Sequence, residues 1–159
     1  MGRDKAFITV DGVPLAARTA ALLAEAGCDP VHIVGRQTAL SDLGWPVVRE
    51  SGTDHHPLYG VAASLRAQPG QLVLHAPCDV INLAVSHIDA LLRIDGPCVA
   101  VSAGTMHPLL GIFPASYAAR ATVLADHGAP AWRLCETLPR VILDAPDLID
   151  ANHRTDLPR

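Results

Sequence analysis

The sequence predicts an α/β fold of three layers, in which helices cover both faces of a mostly parallel sheet. Two observations carry that prediction. Short apolar runs alternate along the chain with longer segments whose apolar residues recur at helical spacing, the rhythm of strands linked by helical crossovers. The thirteen prolines are scattered and no repeat or low-complexity stretch breaks the rhythm, so residues 1–159 read as a single domain. Hydrophobic residues make up 50% of the chain and charged residues 18%, a balance that suits a packed core and argues against disorder.

The elements follow in order. MGRDKAF opens the chain without a buried strand ahead of its lysine. PLAARTAALLAEAG, Pro14 to Gly27, predicts a helix, with proline in the first turn, Leu15, Leu22, Leu23 and Ala26 on one face, and Gly27 as the stop. VHIVG (Val31 to Gly35) and PVVRE (Pro46 to Glu50) read as short strands. YGVAASLRA (Tyr59 to Ala67) is a helix that ends before Pro69-Gly70, and QLVLHAP (Gln71 to Pro77) is a buried strand. AVSHIDALLRI predicts a helix, GPCVAVSA and HPLLGIF two strands, and ASYAARATVLADHG a helix stopped by Gly128. VILD (Val141 to Asp144) closes the set as an edge strand.

Composition limits what the chain can do. A net charge of −4 and a pI near 6.0 provide no general field for nucleic acid or an anionic membrane, so a phosphate ligand must be held by local groups. Cys28, Cys78, Cys98 and Cys135 form no CxxC pair, which leaves neither a zinc knuckle nor a redox motif and predicts reduced thiols. No apolar run approaches the roughly 20 residues of a membrane helix, and no leader-like segment follows Met1; the expected location is cytoplasmic.

Parallel sheets bind ligands at the carboxyl ends of their strands, so polar residues there are the informative ones. LVLHAPCD delivers Asp79 to such a position, where a carboxylate can ligate Mg²⁺ or simply turn the chain and cap a helix. Lys5 is the only lysine, against eleven arginines. An ammonium on a flexible stem suits a phosphate as a point charge; the same residue also serves as an ordinary solvated charge. His55 and His56 read as solvated loop residues, Cys78 as a small neighbour of Asp79, and His107 equally as a ligand-facing or a satisfied strand histidine.

Taken together, MGRDKAFITVDGVPLAAR, RESGTDHHPLYGVAASL, APCDVINL, HPLLGIF and DANHRTDL resemble, in order and spacing, the MobA-like nucleotidyltransferases, the family of molybdenum cofactor guanylyltransferase. The resemblance spans nearly the whole chain. It implies a Rossmann-like sheet of the nucleotide-diphospho-sugar transferase type and Mg²⁺-dependent transfer of GMP from GTP to molybdopterin, with release of pyrophosphate. By its motifs, Lys5 contacts the nucleotide phosphates, Asp79 binds Mg²⁺ and nucleotide, and both are the catalytic candidates. Glu50, or else the Asp54 side of the loop, contributes to nucleotide binding. His107 and Asn152 face the second substrate, with Asp150 where the family has a further Asn.

The chain also departs from the family pattern. Relatives carry a buried strand and a loop of the form LAGG-x-S-x-RMG before the DKA motif, so the resemblance implies an N-terminally truncated domain lacking its first strand, either because the start is set at an internal Met or because the chain is a true truncation with impaired activity. Gly35 stands where a guanine-binding Asn is frequent, HHPLYG replaces GPL-x-G, and Arg154 replaces a Pro. These departures keep open another NTP, including a cytidylyltransferase of the same fold acting on a related phosphorylated small molecule, and a catalytically impaired nucleotide-binding or regulatory relative. The expected partners are the nucleotide, the pterin and other molybdenum cofactor biosynthesis proteins.

Overall fold

The computed structural model describes residues 5–52, 55–143 and 148. A single helical turn at Lys5–Phe7 leads into a hairpin of β1 (Thr9–Val10) and β2 (Val13–Pro14). Asp11 and Gly12 form its turn with φ of 52° and 79°, the conformation for which Asp-Gly is favoured. Helix α1 (Leu15–Glu25) stops where predicted, with Gly27 left-handed at φ 86°. Strands β3 (Ile33–Gly35) and β4 (Val47–Arg49) pair in parallel. Helix α2 (Pro57–Ala67) begins two residues before the apolar periodicity suggests: Pro57 fits the first turn, and Nδ1 of His56 accepts the Leu58 amide at 3.2 Å.

The second half holds β5 (Leu72–His75), α3 (Val85–Leu92), β6 (Cys98–Ser102), β7 (Thr105–Pro114), α4 (Ala118–Asp126), a short α5 (Trp132–Cys135) and β8 (Arg140–Ile142). Four of these strands form one sheet in the order β5-β7-β6-β8. β7 is antiparallel to both β5 and β6, while β6 and β8 are parallel. Hence β5, β6 and β8 share a direction and β7 runs against them. Only Ala103 and Gly104 separate β6 from β7, far too few for a crossover, and their φ of 42° and 81° close a tight hairpin. The β6–β7 register jumps from Val99↔Gly111 to Ala100↔His107, and the looped-out stretch contains Pro108, which has no N–H to contribute. β8 takes the edge position expected of VILD.

Side chains alternate across this sheet into two cores. Val99 and Phe113 join Leu58, Val61 and Leu65 of α2, Ala121 of α4 and Leu134 of α5. Cys98, Ala100, Leu110 and Ile112 join Ile88 and Leu91 of α3, with Leu22 and Leu23 of α1 packed against them. Helices α2, α4 and α5 therefore cover one face, and α1 and α3 the other. Each fully buried Leu, Ile or Phe contributes about 1.5–3 kcal/mol, so these clusters hold the layers together. All four cysteines are free thiols, and burial pushes Cys28, Cys98 and Cys135 above the usual thiol range. Among the described residues, no helix is long and apolar enough to cross a membrane.

Gly111 marks the tightest backbone approach in the sheet. A Cβ there would lie 2.4 Å from the Cys98 carbonyl oxygen and 3.1 Å from the Val99 Cα. Gly111→Ala is expected to destabilise the fold by about 1–3 kcal/mol, the usual cost of overpacking, seen as a lower urea midpoint at unchanged slope. An unaltered midpoint would contradict this account of β6–β7 packing.

Candidate functional site

A cavity of about 470 Å³ lies between β3 and β5, with α1 and α2 on its other sides. Its polar lining is concentrated where strands end. Asp79 follows β5, Arg36 follows β3, Glu50 follows β4, and Lys5 begins the first turn of the described chain. Polar side chains gather at these strand ends, beyond the apolar packing of the helices against the strands.

Lys5 and Asp79 are 74 residues apart in sequence and in direct contact: Lys5 Nζ donates to Asp79 Oδ2 at 2.9 Å. Lys5 is 42% exposed and Asp79 24%. A pair this accessible contributes roughly 0–1 kcal/mol to stability, so its position at the cavity makes it a better candidate for ligand chemistry than for holding the fold.

Glu50 lines the same cavity but is engaged by Arg36, whose Nε and Nη2 both donate to Oε1, at 3.1 and 2.9 Å. Arg36 was not among the residues singled out from the sequence; its place directly after VHIVG, at a strand's carboxyl end, is the signal that identifies it. Gly35 has a local packing reason, because a Cβ on it would meet Leu40 Cδ1 at 2.5 Å. A side chain at position 35 would therefore require the Leu40 side chain to move.

His107 is placed elsewhere. It sits in β7 opposite Ala100, with Nε2 2.7 Å from Oγ of fully buried Ser102, and it is not among the residues lining the cavity. The Leu148 amide donates to the same Ser102 oxygen at 3.3 Å. Asn152, Asp150 and Asp54 lie outside the described residues. His56, expected in solvent, is a structural residue: besides capping α2, its Nε2 lies 3.0 Å from the Ala129 carbonyl oxygen. His55 is exposed and borders the cavity, as does Cys78. His75, on β5, has Nδ1 2.8 Å from the Leu109 carbonyl oxygen. Burial lowers its pKa below the usual 6.5, against the opposing effect of that hydrogen bond.

Among the described residues, no group of three or more His, Cys, Asp and Glu side chains is arranged to hold a metal ion. A closed protein cage is therefore not formed by them. Mg²⁺ characteristically takes one or two carboxylates and fills its remaining positions with water and substrate phosphates. A partly exposed Asp79 beside a cationic Lys5 fits that kind of shared site.

The family model for the MobA-like NTP transferase domain matches residues 1–141. The chain belongs to this family. Solved structures agree on the MobA-like fold. A nucleotidyl transferase from Methanothermobacter is 19% identical with a TM-score of 0.71, covering 96% of this chain and 81% of its own. A Mycobacterium tuberculosis protein in complex with manganese is 16% identical at TM-score 0.71, covering 98% and 90%. Molybdopterin-guanine dinucleotide biosynthesis protein A of Archaeoglobus fulgidus is 16% identical at 0.64, covering 89% and 75%. No curated protein matches the sequence significantly. Membership of the MobA-like family supports a nucleotidyltransferase activity, and likenesses at these identities carry the fold alone.

His75 gives the cavity wall a pH dependence. With its pKa lowered in the folded state, the unfolded chain binds the extra proton, so the His75 contribution is complete above about 6.5 and is lost as pH falls below it. Chemical denaturation at pH 7.5 and 5.5 should show a smaller acid loss in His75→Gln than in the unaltered protein. An equal loss would show that His75 is not buried as described.

Proposed function

We propose that this protein is a Mg²⁺-dependent nucleotidyltransferase that transfers GMP from GTP to molybdopterin and releases pyrophosphate. The observation that carries the reading is the Lys5–Asp79 pair, held at 2.9 Å beside a strand's carboxyl end. Family membership supports nucleotidyl transfer as the reaction class. The Archaeoglobus neighbour supports the choice of guanylate and pterin.

The chemistry asks for little covalent work from the protein. A phosphate oxygen of the acceptor attacks the α-phosphorus of the triphosphate; the new P–O bond forms as the bond to the β-phosphate oxygen breaks, and pyrophosphate leaves. What the protein must supply is alignment and neutralisation of charge. Asp79 would hold the Mg²⁺, which polarises the α-phosphate when bound. Lys5 would exchange its contact with Asp79 for the phosphate oxygens and steady the charge that develops on the leaving group. Glu50, kept in place by Arg36, would bind the nucleotide, and Arg36 adds a cation at the same rim. Asn152 would serve the second substrate, and His107 would do so only from its place beside buried Ser102, apart from the cavity. With Gly35 at that position, selection of guanine would rest on groups other than an asparagine side chain there.

Pyrophosphate release measured with Mg²⁺, molybdopterin and GTP, CTP or ATP in turn tests this reading. GTP is expected to turn over fastest; faster turnover of CTP would reassign the nucleotide, and turnover with none of the three would overturn nucleotidyl transfer. Asp79→Asn should lower kcat/KM by about 10²-fold or more, the scale set by removing one charge-stabilising group. Lys5→Ala should lose activity while shifting stability by no more than about 1 kcal/mol; Lys5→Arg should recover part of the activity.

A further inference from the structure

The ammonium of Lys5 and the carboxylate of Asp79 reach the cavity from segments distant in sequence, and both segments are fastened to the first turn of α1. On the Lys5 side the fastening is backbone. The Ile8 amide donates to the Lys5 carbonyl at 3.1 Å, and the Leu15 amide, at the start of α1, donates to the Ile8 carbonyl at 2.8 Å. Two successive hydrogen bonds thus carry the position of α1 to the turn that bears Lys5.

On the Asp79 side the fastening is a side chain. Arg18, in the same turn of α1, directs Nη1 to the Ile81 carbonyl oxygen at 2.5 Å, across 63 positions of sequence. The buried Ile81 side chain packs with Val10 and Leu15 and against Ile8, the residue that links α1 to Lys5. Val80 and Leu83 enter the neighbouring core beside Ile88 and Leu91 of α3. These apolar contacts hold the loop down but are not directional. A guanidinium bond to one carbonyl is directional, and stronger than a bond between neutral groups. It fixes the peptide at Ile81 and, through it, the exit of Asp79 two residues before. Arg18 itself is half-buried, does not line the cavity, and among the described residues forms no ion pair. Its charge is directed at a backbone carbonyl, where it serves the geometry of the loop.

We propose that Arg18 is a positioning residue for the Lys5–Asp79 site: by tying loop 79–81 to the helix turn that also anchors Lys5, it sets the separation of ammonium and carboxylate. The inference deepens the proposed function and rests on it for the effect on turnover; the geometric link does not require it. A cation and a triphosphate must meet both groups at once, so a shift of one segment against the other lowers the rate by misalignment while the fold persists.

Lys5 is the only lysine, so the full chain grown with isotope-labelled lysine gives one lysine side-chain signal in nuclear magnetic resonance, and that signal reports the pair directly. Asp79→Asn removes the carboxylate charge and gives the position of the signal for a broken pair. Arg18→Met, which keeps an unbranched apolar stem, should move the signal most of the way to that position. Arg18→Gln, with an N–H donor on a shorter stem, should move it less. Leu134→Val, in the core on the other face of the sheet, lowers stability without touching either segment and should leave the signal in place. In pyrophosphate release, Arg18→Met should lower kcat/KM by about tenfold or more, with Leu134→Val close to the unaltered protein. A Lys5 signal unmoved in both Arg18 variants, or moved equally by Leu134→Val, would overturn the proposal. So would a signal unmoved by Asp79→Asn, since the pair would then not exist in solution. Absence of turnover in the unaltered protein would overturn the proposed function instead, and the signal comparison would still decide the role of Arg18.

Discussion

Burial of the sheet on both faces is the constraint from which the rest of this structure follows. With α2, α4 and α5 over one face and α1 and α3 over the other, side chains along β6 and the second half of β7 have only apolar surroundings to enter. A charge placed mid-strand would be desolvated without relief. Polar chemistry is therefore displaced to the strand ends, where Arg36, Glu50 and Asp79 all occur and which Lys5 reaches from the single turn Lys5–Phe7. The same covering explains why a lysine and an aspartate 74 positions apart meet while remaining partly open to solvent.

Two ion pairs share this rim and differ in what they leave available. Arg36 directs two donors to a single oxygen of Glu50, and both side chains are largely withdrawn from solvent, 27% and 17% exposed. Lys5 meets Asp79 through its ammonium, a point charge rather than a fork, and the two are 42% and 24% exposed. The first arrangement is a positioned carboxylate with a fork locked onto it. The second is more readily exchanged, since a partly exposed ammonium in a point-charge contact can leave a carboxylate for a phosphate at little cost. That contrast accounts for a single lysine in a chain that elsewhere uses arginine.

The alternation of apolar runs made the layered fold legible before any coordinates, and the helix stops at Gly27 and Gly128 were readable because only a residue without a Cβ adopts those left-handed angles easily. Less legible was the direction of β7. Apolar periodicity is identical for parallel and antiparallel strands, so the hairpin had to be read from the two residues Ala103 and Gly104, and alanine is an unusual turn residue. The helix cap made by His56 was hidden because a histidine side chain gives no sequence signature for capping comparable to Ser, Asp or Asn. Asp79 was visible as a strand-end carboxylate and Lys5 as the solitary lysine, whereas their contact was not, since spacing alone cannot bring residue 5 to residue 79. Arg36 was illegible because an arginine after a short strand carries the signature of an ordinary solvated charge, and its partner Glu50 is brought to it only by the β3–β4 pairing.

The central claim is that Lys5 and Asp79 form one locus for a divalent cation and a triphosphate. Electron paramagnetic resonance of Mn²⁺, titrated into the protein with and without GTP, tests it most directly because bound and free ions are counted separately and no turnover is needed. The account predicts weak Mn²⁺ binding alone, binding tightened about tenfold or more when GTP supplies phosphate ligands, and loss of that tightening in Asp79→Asn. Equal Mn²⁺ and GTP binding by the unaltered protein and Asp79→Asn would contradict it.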